Sequence, residues 1–464
     1  MSESKDKSNI DIITGDPKNA VLKLSWPMMV SMFMIASYNL VDSIWLAGLG
    51  PNALAALGFI TPLFFVMIGI GNGIGAGANS LIARSIGAND KKTADNAAIH
   101  ALVFTVIMSI IVPIILLPLL KDILLFMGAG DSIKLALDYG YITFGLIFAI
   151  LFSVVLSAIL RSEGDVKRSR NAIAITAVVN IILDPILIYI MGWGMAGAAI
   201  ASIISSLISC FVMIYWIWGK KDTYLSLQFS SFKFKSYIIK DMFNVAIPAS
   251  AENLVLSFLG LVMNAMLVIV GGIAAVAVYT SGMRILQMFM IPLIGLGTAV
   301  LTVSAAAYGA GDYKKLEIGF NYTIKLGLLI SGILALIMFV FAPQIALVFT
   351  YNSSTAVLTN QIIVAIRFFA LFLLSIPIGI VASMTFQGVG KGFTSLIITI
   401  FRSLIFEAVF AYLFGIVFGW GIVGMYCGLV FGCTLGAVLG FIWVKLFIKN
   451  YKKDIINRYG KNKN

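Results

Sequence analysis

The chain has 464 residues, of which 60% are hydrophobic and 11% charged, with a mean hydropathy of +1.02 and a formal net charge of +12. That apolar content excludes a soluble globular protein and places the chain in a bilayer. The basic excess would suit a nucleic-acid binder, but its placement argues otherwise. Arg84, Lys91, Lys92, Arg161, Lys167, Arg168, Arg170, Lys220, Lys221, Lys314 and Lys315 fall at one set of alternate helix ends, and Lys121 and Lys134 in the opposite loops. This asymmetry puts both termini in the cytoplasm and gives the basicity no nucleic-acid role.

Twelve mostly apolar stretches are each long enough as helix, at roughly 20 residues or more, to cross a hydrocarbon core of about 30 Å. They run over 20–46, 52–83, 96–120, 136–160, 169–190, 196–218, 240–270, 272–306, 318–348, 358–388, 393–418 and 422–448. The fold class is therefore an all-α polytopic membrane protein. The opening MSESKDKSNIDIITGD is polar without an apolar core, so no signal peptide is expected and 1–19 reads as a cytoplasmic tail. Helix one carries Pro27, a candidate bending point, and Asp42. Helix two contains the glycine run at 69–80, read as close helix packing or as a bendable segment. The single histidine, His100, lies near the start of helix three, where a packing role is expected. In helix five Asn180 and Asp184 are one turn apart, and Pro185 cannot donate to the Ile181 carbonyl, which frees that oxygen and bends the helix. Ser202 lies in helix six, and the basic, aromatic segment 219–239 reads as a cytoplasmic linker.

The second half carries Glu252 in helix seven, Arg284 in helix eight beside Met283, Met288 and Met290, Lys325 in nine, Arg367 in ten, and Arg402 with Glu407 in eleven. The basic stretch 449–464 closes the chain as a cytoplasmic tail. Cys210, Cys427 and Cys433 sit in apolar helices without CxxC spacing, so neither a disulfide framework nor a metal site of their own is expected.

The chain also repeats itself. Pro27 matches Pro248, the turn Gly87-Ala88-Asn89-Asp90 matches Gly309-Ala310-Gly311-Asp312, and Gly192-Trp193-Gly194 matches Gly419-Trp420-Gly421. The offset drifts only from 221 (27 to 248) to 227 (192 to 419). An internal repeat of six helices, an even number, predicts two lobes the same way up, 20–218 and 240–448, related by a pseudo-two-fold axis along the membrane normal.

An ionisable side chain inside hydrocarbon is expensive, so each one is a functional candidate. At a rise of about 1.5 Å per residue, Asp42, Asn180, Asp184 and Ser202 reach a similar depth in the outer half. Two carboxylates, an amide and a hydroxyl at one level suit a hard monovalent cation such as sodium, by analogy with oxygen-liganded cations, or a proton shared between the acids. The repeat does not copy this chemistry: Met263 and Ala411 stand at the places of Asp42 and Asp184, and Glu407 at that of Asn180. Ion coupling is therefore expected in the first lobe alone. Glu252 and Arg284 are candidates for cavity or gating roles, as are Arg367, Arg402 and Glu407, with structural pairing as the alternative for the last two.

Pro27 and Asp42, GANDKK at 87–92, NIILDPILIYIMGWGMAGAAIAS at 180–202, PASAEN at 248–253 and GWGIVG at 419–424 together resemble the multidrug and toxic compound extrusion (MATE) family along essentially the whole chain. The resemblance implies a V-shaped antiporter, without cofactor, that expels cationic or amphipathic compounds in exchange for sodium or protons. It also implies a cation site of Asp42, Asn180, Asp184, Ser202 and the carbonyl of Ala198. The expected setting is the cell membrane, the expected state a monomer, and the expected partners small organic molecules and lipid. A lipid-linked saccharide flippase of related architecture is the alternative, kept open by Arg284, Arg367 and Arg402. An enzyme is not expected: neither HExxH, paired DxxD motifs nor a P-loop occurs.

Overall fold

The structure is a computed structural model that describes residues 9–220, 222–227, 232–347 and 357–461. The described residues are almost wholly helical, with no strand among them. In the first half α1 spans Pro17–Ala47, α2 Pro51–Gly87, α3 Lys91–Phe126, α4 Ile133–Gly145 and Ile147–Ser162, α5 Val166–Pro185 and α6 Gly194–Ile214. The two parts of α4 meet at a bend of 51°. In the second half the helical stretch Ser236–Gly309 is broken at Gly272, whose φ of 68° and ψ of −163° no helix admits. It is therefore two helices, α7 over 236–271 and α8 over 273–309. After them come α9 Tyr313–Val340, α10 Thr359–Gly388, α11 from Gly392 to Val417 and α12 Gly421–Lys461. Twelve long apolar helices are thus present among the described residues. The stretch expected as a tail beyond 448 continues α12 as helix to Lys461.

The repeat is visible in how the helices begin. Asn89, with φ 58°, turns the chain, and Asp90 then caps α3 by accepting from Thr93 N at 3.0 Å. Gly311, with φ 70°, and Asp312, accepting from Lys315 N at 2.9 Å, do the same for α9. The carboxyl takes one of the amides that a helix start leaves bare. The Thr93 hydroxyl and amide together hold the Asp90 carboxyl below the usual carboxylate range.

A π-helical turn closes α5 at Ile186–Ile190 and another closes α11 at Leu413–Val417, each running into a Gly-Trp-Gly corner. There the next helix packs backbone on backbone. A Cβ on Gly197 would lie 2.7 Å from the Leu187 carbonyl oxygen, and one on Gly424 2.5 Å from that of Phe414. Adding a methyl group forces these helices apart. Gly197→Ala and Gly424→Ala are each expected to cost about 1–3 kcal/mol, read as a lower unfolding midpoint of the purified protein. Gly332→Ala is the control, since its Cβ meets nothing within 4 Å.

The chain divides into two compact units. One comprises the residues up to Gly15 together with Val30–Ser250, the other Asp16–Met29 with the chain from Ala251 onward. The helices α1 and α7 each change unit along their length, and the duplicated prolines Pro27 and Pro248 lie just before the two crossings. In the first unit Leu46, Ile60, Phe144, Leu151 and Ile203 form the apolar core. The glycine run of α2 packs closely there: a Cβ on Gly73 or Gly77 would lie 2.5 Å from the carbonyl oxygen of Ala246 or Met242 respectively. His100 is buried, with Nδ1 2.8 Å from Asn96 O and Phe232 tilted over its ring at 4.8 Å. In the second unit the core includes Met263 and Ala411, both fully buried.

Candidate functional site

The acids of the first unit come together. Asp42 lies in the C-terminal half of α1, Asn180 and Asp184 share one face of α5, and Ser202 lies one turn beyond the fully buried Ala198 on α6. Asn180 Nδ2 donates to Asp184 Oδ1 at 3.3 Å and to Ser202 Oγ at 3.4 Å. The carboxyls of Asp42 and Asp184 face each other closely enough for one proton to be shared between them. Asp184 and Asn180 are 0% and 1% exposed, whereas Asp42 and Ser202 are half-buried.

The sequence fashions this arrangement in two ways. Spacing by four residues puts Asn180 above Asp184 on one helix face. Pro185 then ends the regular helix, and the π-helical turn that follows carries Tyr189 across to α1. There the Tyr189 hydroxyl donates to the Trp45 carbonyl, with the two rings 6.1 Å apart edge to face. The C-terminal end of α1 is thereby tied to the turn after α5 three residues beyond Asp42.

Three oxygens in the cluster have no partner: Asp42 Oδ1, Asp184 Oδ2 and Asn180 Oδ1 are all buried without a hydrogen bond. Buried acceptors left bare cost about 1–3 kcal/mol each. Three of them aimed into one cluster, beside two contacting carboxyls, make a place that gains from a proton or a small cation. The donor set is carboxylate, amide and hydroxyl oxygen, which matches a hard ion and not a soft one. Among the described residues no group of three or more His, Cys, Asp or Glu side chains is placed to hold a metal ion.

Sequence reasoning missed Tyr139. It lies on α4, 7% exposed, beside Ser202, and close enough to Asp42 and Asp184 to feel their charge. Tyr38, one turn before Asp42, is likewise within reach of it. A tyrosine in an apolar helix must find a partner for its hydroxyl when buried, which is the signal that was available.

In the second unit the equivalents of Asp42 and Asp184, Met263 and Ala411, are core residues with no polar neighbour role. The other candidates are spread. Glu252 accepts from Ser395 and Gln387, and Arg402 pairs with Glu407 at 3.6 Å. Arg367 is exposed, with its guanidinium 5.3 Å from the Phe339 ring centre, and Arg284 is exposed on α8. The structure therefore brings Asp42, Asn180, Asp184 and Ser202 into one cluster and leaves Arg284 and Arg367 outside any.

Comparison with known proteins agrees with this construction. The MatE family model matches residues 27–186 and 248–413, one stretch in each half of the chain. The multidrug export protein MepA of Staphylococcus aureus is 26% identical over 384 residues, covering 82% of this chain and 80% of MepA. An FAD transporter of Shewanella oneidensis is 26% identical over 336 residues, 71% of this chain and 74% of its own. A solved structure of a MOP superfamily transporter from Pyrococcus furiosus, described as having a binding pocket of reverse polarity, superposes with a TM-score of 0.93. It is 38% identical and covers 96% of this chain and 98% of the other. With twelve apolar helices, a duplicated plan and both halves matched, the chain belongs to the MatE family of multidrug efflux transporters, membrane carriers and not enzymes.

Proposed function

We propose that the chain is a secondary antiporter of the cell membrane, acting as a monomer with both termini in the cytoplasm. It exports amphipathic or cationic organic compounds in exchange for an ion taken up at Asp42, Asn180, Asp184 and Ser202, with the Ala198 carbonyl as a further donor. The observation that carries this reading is the contact between the Asp42 and Asp184 carboxyls within a cluster that leaves three buried oxygens bare. Such a cluster has two states, filled and unfilled, and Pro27 and Pro185 bend the helices that hold it. An ion shifts a conformational equilibrium only through its different affinity for the two states, and competition with substrate needs nothing more.

Reconstituted vesicles loaded with a fluorescent organic cation test the reading, with sodium and pH gradients imposed separately. Export driven by one of the two gradients is the expected result and identifies the ion. Loss of export under both would sink the antiport reading. An anionic amphiphile is the second substrate reading, supported by the relative named for FAD and by the exposed Arg284 and Arg367. Exchange driven by the same gradients, but of a flavin nucleotide and not of the cation, would favour it. Movement of a lipid-linked saccharide under neither gradient would favour a flippase.

A further inference from the structure

The second unit holds two acids that the chemistry above leaves unused, and it sets its own side chains against both: hydrogen-bond donors on Glu252 and a guanidinium on Glu407. Glu252 on α7 accepts from Ser395 Oγ at 2.5 Å and from Gln387 Nε2 at 3.2 Å on each carboxyl oxygen. Gln387 and Ser395 are themselves buried. Glu407, 3% exposed on α11, has Arg402 Nε 3.6 Å from Oε1 and lies beside the buried Cys433 thiol. Among the described residues neither acid has a buried oxygen without a partner, whereas Asp42, Asp184 and Asn180 each have one.

Among the described residues Arg402 is the cation that acts on both acids, and it is seated in a slot. A Cβ on Gly379 of α10 would lie 2.5 Å from its Nη1, and a Cβ on Gly436 of α12 would lie 2.5 Å from its Cγ and 2.6 Å from its Cβ. Bare glycine backbone on both sides leaves room for the side chain that any larger residue would fill. The guanidinium is near enough to act on Glu252 as well as on Glu407. It is tethered to the backbone and cannot leave, unlike a sodium ion or a proton.

We infer that Arg402 is a tethered counter-ion, standing where an exchangeable cation would neutralise Glu252 and Glu407, so that the second unit takes up no coupling ion and the first unit alone sets the ion count. This rests on the reading of the Asp42–Asp184 cluster as the exchange site. The three hydrogen bonds donated to Glu252 occupy the lone pairs a cation would use, and the guanidinium supplies the charge. A purely structural ion pair would hold the helices together but would leave the ion count unchanged when displaced.

Cation uptake by the purified full-length chain separates the two. Radioactive sodium binding and proton uptake from weak buffer are both measured, in an Asp42→Asn/Asp184→Asn background that silences the first unit. Into it go Gly379→Ala, whose new methyl meets only the flexible end of the guanidinium and pushes it out, and Arg402→Gln. Arg402→Lys keeps the charge. The background chain is expected to take up neither ion, Gly379→Ala and Arg402→Gln to add a saturable site for one of them, and Arg402→Lys to add none. Because Arg402→Gln leaves Glu407 bare and strains the fold, Gly379→Ala carries the result whenever Arg402→Gln does not purify as a monodisperse species. No added uptake in a folded Gly379→Ala chain overturns the inference, as does saturable uptake in the background chain alone. Equal uptake by the wild type and the background chain would instead overturn the first-unit reading.

Discussion

Asp184→Asn is expected to uncouple export from the driving ion while leaving the chain folded. The substitution keeps the shape of the side chain. Its amide oxygen can still accept from Asn180 Nδ2, which now reaches Asp184 Oδ1 at 3.3 Å, and its new NH2 can donate to the contacting Asp42 carboxyl. The bare Oδ2 is thereby replaced by a donor, so the cluster is permanently in the state that a bound ion would produce. Stability should be unchanged or slightly raised, because a buried acceptor without a partner is removed. Coupling should vanish. Coupling free energies of about 1–3 kcal/mol correspond to roughly 5- to 150-fold, and export under the driving gradient should fall by a factor in that range. Asp42→Asn should act in the same direction but less, since Asp42 as a whole is only half-buried, whereas Asp184 is 0% exposed. Initial export rates at matched protein content measure both. Export by Asp184→Asn that still follows the gradient at the wild-type rate would remove the cluster from the mechanism.

The cluster was legible before any coordinates because membrane interiors tolerate so few polar groups. Asp42 and Asp184 stand out against their apolar surroundings, and the four-residue spacing of Asn180 and Asp184 together with helix rise was enough to bring them to one level. Tyr139 was not legible in this way, because a tyrosine is ordinary in an apolar helix and only the packing of α4 against α6 shows that it lies beside Ser202. Helix number was also legible. Helix ends were less so: α3 begins at Lys91, where Asp90 caps it, although its polar first turn KKTADN reads as loop. Hydropathy marks where lipid begins, and capping marks where helix begins. The π-helical turns in α5 and α11 have no signal in composition, and only Pro185 hints at the first of them. The seat of Arg402 was invisible for a different reason. It depends on Gly379 and Gly436, two glycines among 43 in the chain, which only the packing of α10 and α12 around α11 singles out.

Glu407→Leu is expected to destabilise the second unit strongly, and Arg402→Met added to it to restore most of the loss. Taking one partner from a buried ion pair leaves the other charge without compensation, at a cost of about 3–5 kcal/mol. Here the stranded group would be Arg402, seated between Gly379 and Gly436 with its Nε already lacking a hydrogen bond. The double substitution removes both charges and leaves an apolar pair of similar volume, an exchange that is often neutral or stabilising by about 1–4 kcal/mol. Glu252 limits the recovery only slightly, because Ser395 and Gln387 continue to donate to it when the guanidinium is gone. Unfolding midpoints of the wild type, the two single variants and the double variant in one detergent close the cycle. A double variant as unstable as Glu407→Leu would show that the cost came from lost packing at residue 407 and not from the stranded charge. The cycle also bears on transport. A double variant that folds like the wild type would show that the ion pair is not required to hold α10, α11 and α12 together, leaving its control of cation uptake as the reason for a charge in that slot.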